Sequence, residues 1–259
     1  MKPIEEQGYL IVAYNKKEYL DCAQLLARSL KQWHPNVKIC LLTDLNCQDT
    51  IFDYIHSFNS PVDETVPFSF DWQVYQSTPF RQTIKLEADM YVAGPIDHYW
   101  SLFQHRDVCV SVGCRDFYNN TSNCRTYRTT FDNNRLPDVY NAITYWRRSS
   151  VAQEFFKWVR FIFEHWKEVR TLLTFPDELP STDLVYSIAA TIVGVNNVTL
   201  PSNISPKIVH MKKGIIPIRS ADWTRELVWE LTNPGLRIHT VAQQGLVHYH
   251  IKEWANGKY

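Results

Sequence analysis

No apolar run in this chain approaches the roughly 18 residues that a membrane-spanning helix needs, so no membrane partner is expected. Nor is a cleavable leader expected. "MKPIEEQGYLIVAYN" puts acids ahead of a short apolar stretch and carries no cleavage signature, so it is read as no signal peptide. The six cysteines (Cys22, Cys40, Cys47, Cys109, Cys114, Cys124) show neither a C-x-x-C pair nor zinc-finger spacing. They read as reduced thiols of a cytoplasmic protein, and the N-x-S/T triplets at Asn119, Asn120, Asn197 and Asn203 as chance matches. Internal repeats, low-complexity tracts and linkers are lacking as well, which favours a single domain over 1–259. Net charge is zero, because 27 Lys and Arg balance 27 Asp and Glu.

That balance hides a segregation. From Asp44 to Asp97 there are nine acids against two bases, net −7, and from Lys207 to Arg225 five bases against one acid, net +4. These are either solvated faces of opposite sign, or a cation-binding acidic edge and a basic lip for a phosphate-bearing partner. Aromatic residues make up 14% of the chain, with nine Trp, which suits either core filling or the lining of a ligand cleft.

"GYLIVAYN" predicts a buried first strand, and the apolar spacing of Tyr19, Cys22, Ala23, Leu26, Leu30 and Trp33 predicts a helix ending at Pro35. "NVKICLLTD" follows as a second strand, giving a βαβ unit with parallel, adjacent strands. A short helix is expected around Thr50–Phe58, then loop with helical turns to residue 80. "RQTIKLEADMYV" reads as one buried strand, "GPIDHYWSLFQHRD" as a turn and short helix, and "VCVSVGC" as a strand. Residues 115–138 read as a long loop or flap, and "VYNAITYWRRS" as a strand. A long amphipathic helix starting at Ser149 or Ser150 and a second one capped by Ser181 or Thr182 come next. The tail begins as a strand, "LVHYH".

Two carboxylates interrupt the strand "IKLEADMYV". Glu87 and Asp89 at i and i+2 would share a strand face, and at the carboxyl edge of a sheet their oxygens suit a hard divalent cation. The alternative is a pair neutralised by Lys85. In "VHYHIKEW", His248 and His250 would also share a face, with Lys252 two residues on, offering an imidazole ligand and a cation for a diphosphate.

A first strand ending at Ala13–Asn15, Asp44 after the second, and an acid-x-Asp after a third resemble nucleotide-sugar glycosyltransferases of the GT-A fold. "YNAITYWRRSSVAQEFF", "STDLVYSI" and the terminal His-containing strand extend the resemblance over nearly the whole chain. "STPFRQTIKLEADMYV" is similar to the metal-motif region of small tailed-phage glycosyltransferases that modify hydroxymethylated DNA bases. The resemblance implies an α/β fold with a GT-A-like, Rossmann-type central sheet, mixed but mostly parallel and flanked by helices. A nucleotide-binding half would cover about 1–110 and an acceptor-binding half about 111–259. It implies a UDP-sugar donor, Mn²⁺ or Mg²⁺, and residence in the host cytoplasm. Ala13, Tyr14 and Asn15 would meet base and ribose, with Asp44 nearby, and Lys85 would steady the sugar or the acids. Asp89 would bind metal, Glu87 would bind metal or contact ribose or water, and His248 or His250 would complete the ligand set. Lys252 would hold the diphosphate. Asn141 would contact donor sugar or acceptor, and Asp183 would contact the sugar or act as base.

The expected acceptor is 5-hydroxymethylcytosine, or its glycosylated form, in DNA. Arg115, Arg125, Arg128 and Arg135 in the flap and Lys212, Lys213 and Arg219 in the basic stretch, with His210 and Trp223 interleaved, would hold phosphodiester backbone. A glycan acceptor stacked on Trp72, Trp100, Trp146 and Trp223 is the alternative. A metal-dependent nuclease or phosphatase would need further acids or histidines converging on Glu87 and Asp89. In a non-catalytic binding module the same acids would be only salt-bridged.

Overall fold

The structure, a computed structural model, describes residues 5–121, 128–201, 203–212, 215–216, 218 and 223–252. The first apolar run forms β1 (Glu5–Ala13), whose side chains alternate between two cores: Tyr9, Ile11 and Ala13 enter one, Leu10 the other. In α1 (Lys17–Trp33) Leu20, Cys22, Ala23, Leu26, Ala27 and Leu30 form the buried stripe that packs on the sheet. β2 (Ile39–Thr43) is buried throughout and lies parallel beside β1, in register from Tyr9↔Ile39 to Ala13↔Thr43.

The helix expected at Thr50–Phe58 is instead an edge strand, β3 (Tyr54–His56), parallel to β2. Asp53 fixes this, its carboxylate accepting from the Ile39 backbone N–H (3.0 Å) and pairing with Lys31 and Lys38, so the chain is laid alongside β2. After a 3₁₀ turn at Ser69–Gln73 and α2 (Val74–Ser77), the expected long strand breaks in two, β4 (Phe80–Glu87) and β5 (Met90–Val92). Then come α3 (His98–Phe103), β6 (Val108–Val112), β7 (Cys114–Arg115), α4 (Thr129–Asn133) and β8 (Val139–Arg147). The long amphipathic helix is interrupted: α5 (Ser150–Glu164) and α6 (Trp166–Leu173) meet at His165, whose φ of −119° and ψ of 28° leave the helical region. The break lets Trp166 turn inward to stack on Phe175. Ser149 caps α5 by accepting from the Ala152 N–H, and Ser181 caps α7 (Thr182–Val193) by accepting from Leu184 N–H. α8 (Val195–Val198), β9 (Ile208–His210), α9 (Trp223–Glu226), β10 (Trp229–Leu231), β11 (Leu236–Ile238), β12 (Val241–Ala242) and β13 (Leu246–His248) complete the order.

The central sheet runs β3-β2-β1-β4-β8-β6. Only β8 runs against its neighbours, so the sheet is mixed and mostly parallel, as expected. One face is covered by α1, the other by α5 and α7, whose Phe155, Phe156, Val159, Tyr186 and Ala189 are buried. Each large apolar side chain buried there contributes about 1.5–3 kcal/mol. A second sheet, β5-β13-β9-β7, and a three-stranded sheet, β10-β11-β12, lie apart from it in hydrogen bonding. No described helix is long and apolar enough to cross a membrane.

Phe80, at the start of β4, lies against Gly8 of β1 so closely that a Cβ at position 8 would meet the Phe80 ring. Gly8→Ala is therefore expected to cost about 1–3 kcal/mol through overpacking. Urea denaturation measures this, and Phe80→Leu in the same chain should recover part of the loss.

Candidate functional site

The chain crosses from the central sheet to the second sheet at Glu87-Ala88-Asp89. Glu87 ends β4 opposite Val12 of β1, Ala88 and Asp89 form a turn, and β5 then pairs antiparallel with β13, Met90 against His248. The acids therefore do not share a strand face. They are brought together by the turn, at the carboxyl ends of β1 and β4 where open α/β sheets form their ligand crevice. The Tyr249 N–H donates to the Asp89 carbonyl (3.1 Å), locking the turn to the segment after β13.

That segment supplies the compensating charge. His248 Nε2 lies 3.3 Å from Glu87 Oε2 and 3.2 Å from Asp89 Oδ1, and His250 Nδ1 lies 3.8 Å from Asp89 Oδ2. The Lys252 ammonium contacts Asp89 Oδ2. Asp89 is 6% exposed and His248 4%, so these charges face one another with little water between. Burial alone would raise Asp89, yet His248, Lys252 and His250 outweigh it and hold the carboxyl well below the usual range. Burial raises Glu87, which separates the two acids electrostatically. Against burial, Asp89 and Glu87 raise His248 and Asp89 raises Lys252, whereas burial and the His248 charge push His250 down to about 2. Glu87, Asp89 and His248 each offer a ligand atom within 4.8 Å of the others, a hard-oxygen and imidazole set that fits a divalent cation.

This cluster floors a cleft of about 510 Å³ walled by Tyr14, Asn15, Tyr19, Phe68 and Phe70. Tyr14 packs edge-on to Phe58 and tilted on Phe70, with ring centroids 5.4 and 4.8 Å apart. Asn15 adopts φ 65°, a left-handed conformation that Asn tolerates, and its N–H donates to Asp44 Oδ1 (2.9 Å). Asp44 thus shapes the β1 loop from outside the cleft. Ala13 corrects the expectation further: it is fully buried in the core, and Val12 lines the cleft instead.

Lys85 does not neutralise the acid pair. Its buried ammonium donates to Asp71 Oδ1 (2.5 Å), and Asp71 Oδ2 accepts from Asn141 Nδ2 (2.9 Å). The Asn141 backbone N–H donates to Asp183 Oδ1 (2.8 Å), and Asp183 Oδ2 accepts from Arg128 Nη2 (2.9 Å). Asn141 is fully buried, so it orients Asp71 and Asp183 instead of reaching into the cleft. Asp183 keeps 31% of its side chain exposed, next to Thr182, which lines the cleft. Sequence reasoning missed Asp71, an acid in the aromatic "SFDWQ" turn where no strand or helix period marks it, and it gave His210 no ligand role.

Of the cations assigned to DNA, Arg128 is 1% exposed, sandwiched by the Phe131 and Tyr140 rings and paired with Asp183 and Asp138. It therefore presents no surface to a phosphodiester. Arg115 donates to Asn119 Oδ1 (2.7 Å), and Lys212 is exposed. Arg125, Lys213 and Arg219 lie outside the described residues. Of the tryptophans proposed as sugar platforms, Trp146 is fully buried, Trp72 is buried under Arg160, and half-buried Trp100 donates to the Tyr9 hydroxyl (3.1 Å), while the Trp223 side chain lies outside what the structure describes.

No protein-family model and no curated protein matches the chain. Solved structures do. The bifunctional glycosyltransferase WbbM superposes with a TM-score of 0.51 at 10% identity, over 96% of this chain and 47% of WbbM. The galactosyltransferase LgtC, solved with donor and acceptor sugar analogues, gives 0.49 at 12% identity over 94% of this chain and 87% of its own. GlyE of Streptococcus pneumoniae TIGR4 gives 0.47 at 9% identity over 75% of this chain and 45% of its own. The chain thus spans less than half of GlyE and WbbM, and its likeness to WbbM is one of fold.

Asp71→Ala would leave the Lys85 ammonium buried and unpaired. The expected loss is about 3–5 kcal/mol of stability, read by chemical denaturation. Lys85→Met in the same chain should restore part of it.

Proposed function

We propose that the chain is a divalent-metal-dependent glycosyltransferase that moves a sugar from a UDP-sugar to a hydroxyl acceptor. The observation that carries this reading is the convergence of Glu87, Asp89 and His248, with Lys252 on Asp89, at the floor of a cleft along the carboxyl edge of the central sheet. About 510 Å³ lies within the roughly 300–1,000 Å³ usual for small-molecule and cofactor sites. Tyr14 and Asn15, with Phe68 and Phe70, would take the nucleoside. Lys252 would turn to the diphosphate, and Glu87, Asp89 and His248 would hold Mn²⁺ or Mg²⁺. When bound, that ion offsets the negative charge of the leaving diphosphate. As the bond to the leaving oxygen lengthens, the sugar gains oxocarbenium character and the departing oxygens gain charge. The Lys252 ammonium would stabilise the second, and Asp183, steadied by Arg128 and Asn141, would face the sugar or the acceptor hydroxyl. On this reading residues up to about 110 contribute most of the donor wall and later residues the acceptor side.

The acceptor put forward is 5-hydroxymethylcytosine, or its glycosylated form, in DNA. Exposed Lys212 on the net +4 stretch supports it. A second reading, a metal-dependent phosphoesterase, draws on His210 and His250 converging beside the acids.

Asp89→Asn is expected to lower sugar transfer, and Mn²⁺-dependent UDP binding, by more than about 100-fold while leaving the circular dichroism spectrum unchanged. Unimpaired transfer by this variant would sink the reading. Radiolabelled UDP-sugar offered to hydroxymethylated DNA and to oligosaccharides decides the acceptor. Label in oligosaccharide alone rejects DNA, and hydrolysis of plain DNA without a sugar donor favours the phosphoesterase.

A further inference from the structure

Behind the carboxylates lies a second donor set that the transfer chemistry does not require. His210 of β9 and His248 of β13 are register partners on parallel strands, so their rings project from the same face of the second sheet. His250 joins them from beyond the end of β13. Its φ is 57°, the left-handed region that a side chain such as His enters at a cost, and with the backbone so bent its ring lies against both others. One ring nitrogen of each histidine lies within 4.8 Å of the other two. His210 Nδ1 and His250 Nε2 are 3.4 Å apart, and two zinc–nitrogen bonds of about 2.0–2.1 Å at the tetrahedral angle need about that separation.

His248 supplies the independent sign of a ligand. Its Nε2 faces Asp89 Oδ1 and Glu87 Oε2; in the neutral ring, the tautomer that donates Nε2–H to these acceptors has its lone pair on Nδ1, and an ion there takes the place of the second proton that the acids favour. Nδ1 is buried and has no hydrogen-bond partner among the described residues. A metal ion would satisfy it.

We propose that His210, His248 and His250 form a site for a transition-metal ion of the zinc class, which competes with the donor-cation site for His248. Three imidazoles select zinc, cobalt, nickel or copper over magnesium, whereas the carboxylate pair suits magnesium or manganese. A neutral imidazole has one lone pair and serves one ion at a time. Metal at the histidines therefore removes the imidazole ligand from Glu87 and Asp89, and zinc antagonises manganese. Arg128, behind the Tyr140 ring that touches His210, is already paired with Asp183 and Asp138, so its charge opposes the ion only weakly. The competition rests on the donor-site reading above, but the histidine site does not.

The full chain is titrated with Co²⁺, Zn²⁺ or Mn²⁺ alone, without sugar nucleotide. Expected are visible Co²⁺ bands of a low-coordinate nitrogen site, a fall of at least about tenfold in Co²⁺ and Zn²⁺ affinity in His210→Gln, and Mn²⁺ affinity within about twofold of the unaltered chain. Zn²⁺ should weaken Mn²⁺ binding at lower zinc concentration in the unaltered chain than in His210→Gln, where only direct exchange at Glu87, Asp89 and His248 remains. Unchanged Co²⁺ affinity in His210→Gln would overturn the proposal, and so would Asp89→Asn losing Co²⁺ as completely as Mn²⁺. His210 is buried, so if His210→Gln fails to fold by circular dichroism, His250→Gln, whose side chain is 31% exposed, carries the Co²⁺ and Zn²⁺ measurements, and unchanged Co²⁺ affinity there overturns the proposal. Because no sugar donor is present, this titration is decided separately from the transfer assay.

Discussion

The site depends on placing the Asp89 carboxylate, almost shut off from water, at the joint between two sheets. A buried carboxylate is tolerated only where positive charge and hydrogen bonds replace its hydration. Here that replacement comes from a segment some 160 residues away in sequence: His248 and Lys252. The antiparallel pairing of β5 with β13 and the Tyr249-to-Asp89 backbone hydrogen bond bring that segment in. Electrostatics and sheet pairing are therefore coupled, because the strand that closes the second sheet also delivers the cations that make the acids affordable.

A second polar network supports the first from below. Lys85, Asp71, Asn141, Asp183 and Arg128 form one chain of donors and acceptors across four segments: β4, the Ser69–Gln73 turn, β8 and the start of α7, with Arg128 closing it beside α4. Each buried member has a partner, which is the condition under which a buried network orders a site instead of weakening it. Lys85 and Glu87, two apart on one strand, thus belong to different networks: one ammonium locked to Asp71, one carboxylate open to the cleft.

Much of the scaffold was legible from residue pattern. The β1–α1–β2 unit follows from an apolar run, a 3.6-period stripe and a second apolar run, and Ser149 and Ser181 announce α5 and α7. β3 was misread as helix because Tyr54-Ile55-His56 is too short to show a period, and the pairing that makes it a strand comes from Asp53 reaching Ile39. "IKLEADMYV" was misread as one strand because its apolar residues continue through the turn, buried first in one sheet and then in another.

The sequence by itself determined the class of the fold, the presence of an acid pair at the end of a buried strand, and the chemistry available to the last strand. Local spacing and side-chain type suffice for these. Only the tertiary structure decided that Lys85 answers Asp71 and not Glu87, that Arg128 is an internal brace, and that His210 stands beside His248. Those outcomes depend on which distant groups share a low-dielectric pocket, where a few ångströms determine whether a charge has a partner.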